Sequence, residues 1–234
     1  MRVTKLVFLV APIVFAAALA PWGSIAADND TTKRLAAATD VLTEIMAAPD
    51  KGMPQDLLDK SACAVIIPGV KKGAFILGAK YGRGFISCRR ASGTGWSAPA
   101  GVKVEGGSVG FQIGGSETDV VMLVMNQGAV KKLLSSKFTI GGDASAAAGP
   151  VGRTSSAETD AQLHAELLTY SRTRGLFAGV SLQGATLRPD DDANADMYGR
   201  KMSNEDIVLG TVKEPAAASG LIAALDRHSG KRAR

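Results

Sequence analysis

The side chains able to do acid–base or covalent chemistry are few. His164 and His228 are the only imidazoles in 234 residues. His164 lies near Glu166 and could be imagined as a base with an orienting carboxylate. Leu163, Ala165 and Leu167 surround it, however, and an ordinary, partly buried histidine is the better reading. No nucleophile–base pair emerges, and a zinc site would need more histidine and cysteine than the chain offers. The acidic run at 190–196 sets Asp190, Asp192, Asn194 and Asp196 at the first ligand spacings of an EF-hand loop. Ala195 replaces the turn glycine of such a loop, and Lys201 stands where its bidentate glutamate should be. The run reads instead as a helix start, with its acids at the positive end of the dipole. No segment has the P-loop or dinucleotide-binding fingerprint. Catalytic roles, metals and cofactors are not expected.

What stands out is charge. Between Ser61 and Val104 there are seven bases, Lys71, Lys72, Lys80, Arg83, Arg89, Arg90 and Lys103, and no acid. Such asymmetry raises the local concentration of anionic partners. The alternative is a set of solvated edge and turn lysines that discourage sheet-to-sheet aggregation. Lys71, Lys72, Arg83, Arg89 and Arg90 fall at expected strand ends, where they could share one rim. Only 5% of residues are aromatic, which argues against stacking on nucleic acid.

The elements that must position these charges begin after a leader. Arg2 and Lys5 precede an apolar stretch from Leu6 to Ala20, and Ser24-Ile25-Ala26 supplies a cleavage site before Ala27. Residues 1–26 therefore read as a secretory signal peptide. No cysteine lies near the cut, so a lipoprotein is not expected, and the mature chain is expected in the periplasm or secreted. Removing the leader takes the net charge from +5 to +3, with 25 bases against 22 acids. Outside the acid-free stretch the mature chain carries 18 bases against 22 acids. In an oxidising compartment the two cysteines, Cys63 and Cys88, read as one disulfide. Closing a loop of that spacing stabilises the fold by about 3.5 kcal/mol in the chain-entropy account.

A helix is expected from Asp30 or Thr31 to about Ala48, with Leu35, Ala38, Leu42, Ile45 and Met46 on one face. A short helix follows Pro54. Strands are expected at 62–67, 74–81 and 84–90, separated by turns at Pro68-Gly69 and Gly82-Arg83-Gly84, with Gly106-Gly107 another turn. Ser108 to Gly115 alternates cleanly, and Val120 to Met125, apolar throughout, should be a central strand covered on both faces. Further strands are expected around 138–140, 143–148, 166–170 and 176–187. Helical turns are expected at 129–134, 191–198, 204–209 behind a Ser203 cap, and from Pro215 to about Leu225. The last residues, 227–234, read as a basic, disordered tail. The fold class is α+β: a curved, mainly antiparallel, glycine-rich sheet or barrel-like core with helices at both ends, forming one domain over 27–226.

The glycine-punctuated phrases carry a family likeness. Gly95-Trp96-Ser97-Ala98-Pro99, Gly115-Ser116-Glu117-Thr118-Asp119, Gly141-Gly142-Asp143, Gly149-Pro150-Val151-Gly152-Arg153 and Arg174-Gly175-Leu176-Phe177, with Asp192-Ala193-Asn194 and Tyr198-Gly199, stand in the order found in the SYLF domain. The chain resembles the stand-alone exported form of that domain from about Thr31 to Leu225. The resemblance implies a non-enzymatic module that binds phosphoinositides or other anionic lipids, through an amphipathic helix that opens the domain. The matching segment, Thr32 to Met46, has the bases Lys33 and Arg34 but also Asp40 and Glu44. Some relatives also bind actin, which an exported protein would not meet. The expected partner is thus an anionic lipid or membrane surface, with Lys71, Lys72, Lys80, Arg83, Arg89, Arg90, Lys33 and Arg34 as candidate contacts. A protein of the cell envelope is the alternative partner.

Overall fold

The computed structural model describes residues 30–48, 52–151, 164–173, 176–179 and 182–230. The expected leader, residues 231–234 of the tail, and most of the phrase at 149–153 with Arg174-Gly175 therefore lie partly or wholly outside the described residues. Helices α1 (Asp30–Ala47) and α2 (Gln55–Lys60) precede two very long strands, β1 (Cys63–Cys88) and β2 (Ala100–Val124). Helix α3 (Gln127–Leu133), strands β3 (Phe138–Thr139), β4 (Ala146–Ala148), β5 (Leu167–Thr173), β6 (Leu176–Gly179) and β7 (Thr186–Pro189) follow. The chain ends in α4 (Asp191–Tyr198), α5 (Asn204–Leu209), a 3-10 turn (Ala216–Ala218) and α6 (Ser219–Ser229). The class is the expected one: a curled, mainly antiparallel sheet with helices at both ends.

The main departure from expectation is β1. The three short strands expected between 62 and 90 form one strand that pairs antiparallel with β2, from Cys63 opposite Val124 to Ile86 opposite Ala100. Twenty-six residues would span roughly 85 Å if straight. Instead the Cα atoms of Cys63 and Cys88 lie 3.9 Å apart, joined by the expected disulfide. The strand has bent back until its two ends touch. Pro68-Gly69 is not a turn but a bulge at a register shift, with Gly69 at φ +61°, a conformation glycine adopts without cost. Gly84 is not in a turn either. A Cβ there would sit 2.1 Å from the Ile66 carbonyl oxygen, so the absence of a side chain lets the returning half of β1 lie against the first. Gly106 and Gly107 likewise lie within β2.

The bulge also keeps one face consistent. Cys63, Val65 and Ile67 point into one core before it, and Val70, Ile86 and Cys88 into the same core after it. Even-numbered β2 residues from Ala100 to Val104 and from Val120 to Val124 complete that core with α3, β7 and α5. Ala64, Ile66, Phe85, Val121 and Leu123 face the opposite way, under α1, α2 and α6. Val120–Val124 is accordingly buried throughout, with β1 on one side and β5 on the other, as a fully apolar strand should be.

Helix α1 packs its apolar stripe on this second core. Leu35, Ala38, Leu42 and Ile45 are buried among sheet and α6 residues. The face that the resemblance would offer to a bilayer is therefore occupied by the fold, as the mixed charge of the segment favoured. Helices α4 and α5 start as their sequences require. The Asp190 carboxylate accepts from Ala193 N–H, and Ser203 Oγ accepts from Asp206 N–H at 3.1 Å. Helix α6 runs four residues past the expected Leu225, so Arg227, His228 and Ser229 form its last turn rather than a tail.

Candidate functional site

The seven bases of the acid-free stretch do not share one rim. Arg89 and Arg90 stand beside the disulfide, Lys71, Lys72 and Lys80 in the middle of β1, and Arg83 and Lys103 opposite each other in the ladder between. Arg89, beside the disulfide, is 7% exposed. Its guanidinium lies 4.0 Å over the Trp96 ring and donates to the carbonyls of Leu58, at 3.1 Å, and Ser229, and to Ser229 Oγ. The Trp96 indole N–H donates to the same Ser229 carbonyl at 2.9 Å. Arg89 thus closes the negative end of α6 and ties it to α2 and the β1–β2 connection. Arg90 is exposed, with its Nε donating to the Trp96 carbonyl at 2.7 Å.

Arg83 is likewise committed to the fold. It makes two hydrogen bonds to Asp190, at 2.5 and 2.6 Å, and these raise its pKa against the opposing effect of burial. Asp190 is both the cap of α4 and the counter-ion of Arg83, which accounts for the acid cluster structurally. Asn194, one turn on, accepts from Gly101 N–H at 2.7 Å and donates to Asn204 Oδ1 at 2.7 Å. Asn204 donates in turn to the Gly101 carbonyl at 3.0 Å. These buried amides clamp α4 and α5 to the start of β2. Nothing in the sequence signalled the Asn204 part of that clamp.

Lys71, Lys72 and Lys80 come from the middle of β1, the part farthest along the strand from the disulfide. Lys71 is exposed; Lys72 and Lys80 are half-buried. Among the described residues these three ammonium groups form no ion pair. Lys71 shares a surface cleft of about 580 Å³ with Lys33 and Arg34 of α1, and with Arg83. The cleft also contains Asp30, Glu117 and Asp119, and Asp30 pairs with Arg34, so its charge is mixed. Asp119 is bound by Arg172, at 2.5 Å, which also pairs with Glu44 of α1.

Lys72 and Lys80 meet at a different place. Beyond Glu105 the strand β2 leaves β7, and it joins β5 only at Asp119. A pocket of about 300 Å³ opens near this seam. Its walls are Ile67 and Val70 of β1, Val104 and Val120 of β2, and Leu182 and Ala185 before β7. Thr118 and Ser171 add hydroxyls, and the half-buried Lys72 and Lys80 complete the lining. Burial, and next the nearby Lys80, hold the Lys72 pKa below its usual value. Among the described residues no carboxylate lines this pocket.

The histidines fall outside both places. His164 is exposed rather than partly buried. Glu166 is turned to Ser145, whose N–H it accepts at 3.0 Å, and lies 3.6 Å from Lys132. His228 sits in the last turn of α6, where burial and Arg227 lower its pKa.

Residues 105–228 match the family described as Las17-binding protein actin regulator, Ysc84. An SH3 domain-containing protein of Schizosaccharomyces pombe is 38% identical over 169 residues, which cover 71% of this chain and 39% of that protein. LAS seventeen-binding protein 3 of Saccharomyces cerevisiae is 34% identical over 180 residues, covering 76% and 39%. The human SH3 domain-containing YSC84-like protein 1 is 33% identical over 192 residues, covering 81% and 56%. The chain thus spans between about two fifths and just over half the length of these relatives.

Proposed function

Because the chain belongs to the Ysc84 (SYLF) domain family, we propose that it is an exported, non-enzymatic module that associates with anionic lipid at the cell envelope. The observation that carries this reading is the group of lysines in the middle of β1. Of the eight bases that sequence and resemblance together nominate, Arg83, Arg34, Arg89 and Arg90 already serve partners within the fold, and Lys33 lies on α1 in the mixed-charge cleft. Lys71, Lys72 and Lys80 remain in one acid-free stretch of strand. Near an anionic surface each contributes about 1 kcal/mol, falling off within a Debye length. Contact through this end, rather than by insertion of α1, agrees with the burial of the α1 stripe. The disulfide fits an oxidising compartment, where the leader would deliver the chain.

Flotation with vesicles of phosphatidylcholine alone, or mixed with phosphatidylglycerol, tests the reading across a salt series. Recovery is expected only with the anionic vesicles, decreasing with salt, and lost when Lys71, Lys72 and Lys80 are all changed to Gln. Absence of binding at every salt concentration, or equal binding by the triple variant, overturns it. A protein partner at the envelope is the second reading, favoured by the family description, which names binding of a protein. A single stoichiometric partner recovered without any vesicle binding would decide for it.

A further inference from the structure

The apolar pocket behind Lys72 and Lys80 asks for an occupant of its own. It is a partly open pocket of about 300 Å³, and five of its lining residues, Ile67, Val70, Val104, Val120 and Leu182, are branched aliphatics. Core residues on every side are almost completely buried, from Ile67 at 0% to Leu182 at 7% exposure. Two half-buried lysines belong to its lining, and no carboxylate does among the described residues. Like charges held together in the lining of an apolar cavity repel each other and lose hydration, and an anion placed between them relieves both costs. A chain of carbon atoms fills the rest. The size lies at the small end of the range for small-molecule sites, roughly 300–1,000 Å³, which suits one short acyl chain and not a two-chain phospholipid.

We propose that this pocket binds a single-chain amphiphile with a carboxylate or phosphate head, held by Lys72 and Lys80, its chain among Ile67, Val70, Val120 and Leu182. Thr118 and Ser171 supply hydroxyls to the same pocket. The site shares Lys72 and Lys80 with the surface association proposed above, but it recognises one molecule taken out of water rather than a charged plane.

Titration calorimetry of the full chain with decanoate, kept below its micelle-forming concentration, tests the proposal without any vesicle. Butyrate and inorganic phosphate present the head alone, and decyltrimethylammonium presents a chain with the opposite charge. Decanoate is expected to bind at one site, with the three comparison compounds far weaker. The K72Q/K80Q variant is expected to weaken decanoate binding by roughly tenfold or more, from the loss of two nearby bases. Ser171→Leu fills the pocket from a half-buried strand position and is expected to abolish decanoate binding while leaving vesicle flotation unchanged. Circular dichroism establishes that each variant folds. Should Ser171→Leu fail to fold, the lysine variant and the cationic amphiphile decide the matter alone. Equal affinity for decanoate and decyltrimethylammonium, unchanged affinity in K72Q/K80Q, or no heat of binding overturns the pocket. Flotation without decanoate binding leaves the surface reading standing by itself, and decanoate binding without flotation does the reverse.

Discussion

The two ends of the doubled β-hairpin are built from the same strand and solve opposite problems. At the disulfide end both bases are given partners by the fold, although Arg90 is exposed. Arg89 is stacked, hydrogen-bonded and buried, and the nearby Trp96 spends its N–H on the same carbonyl of α6. At the other end Lys72 and Lys80 are held close without a carboxylate between them. A cation given partners by the fold serves its architecture, whereas the lysines at the other end are the ones that the proposed binding would satisfy. The contrast teaches that clustering of bases in sequence is a poor guide to a shared surface. Seven bases within one stretch of chain are divided by the bend that brings its ends together.

Substitutions should separate the ends by their effect on stability. The largest loss is expected for the double change Cys63→Ser and Cys88→Ser, which releases both ends of β1 and should cost about 2–5 kcal/mol in urea unfolding. Two thiols labelled by alkylation of the denatured, unreduced native protein would break the comparison at its root. Asn194→Ala comes next. It strips partners from the Gly101 N–H and from Asn204 in a buried site, and should cost about 1–3 kcal/mol, read as a fall in unfolding midpoint.

Alkaline pH gives a third measure on the closed side. Burial first, and nearby acids second, raise the pKa values of Tyr170 and Tyr198 above the usual tyrosine range. The unfolded chain therefore ionises these phenols first. Their contribution is complete below the unfolded pKa of about 10 and is lost as pH rises beyond it toward the folded values. Urea midpoints at neutral and strongly alkaline pH should decrease accordingly, and Tyr198→Phe should reduce the dependence. The smallest effect is expected at the open end. K72Q/K80Q should alter stability by no more than about 0.5 kcal/mol in either direction, because partly solvated charges without partners support little. A large loss there would make the two ends alike and remove the comparison.

Local rules were legible in the sequence because their physics is local. The α1 stripe, the helix start at the acidic run, the Ser203 cap, and the fully covered run at 120–124 need only side-chain period, dipole and cap chemistry to be read. The long strand was not legible. Pro68-Gly69 and Gly82-Arg83-Gly84 have the composition of turns, and sequence alone does not distinguish a turn from a bulge or from a close crossing of the chain over itself. The final helix was read short because Arg227 and His228 resemble a solvated tail, while what holds them is the distant Arg89–Ser229 contact. As for the pocket, its two lysines could be nominated by charge. Its walls come from β1, β2, β5 and the segment before β7, and no spacing rule links positions so far apart.

The closure of β1 upon itself has a consequence for how the protein reaches its native state. Pairing can begin at Ile86 opposite Ala100, close in sequence, and proceed stepwise to Cys63 opposite Val124, each step adding little loop entropy to the last. In the native ladder the two sulfurs are brought together by its bend. Oxidation of the pair is therefore a clock for bending rather than for pairing. Quenching free thiols at intervals during refolding would time the moment at which a ribbon becomes an enclosed body.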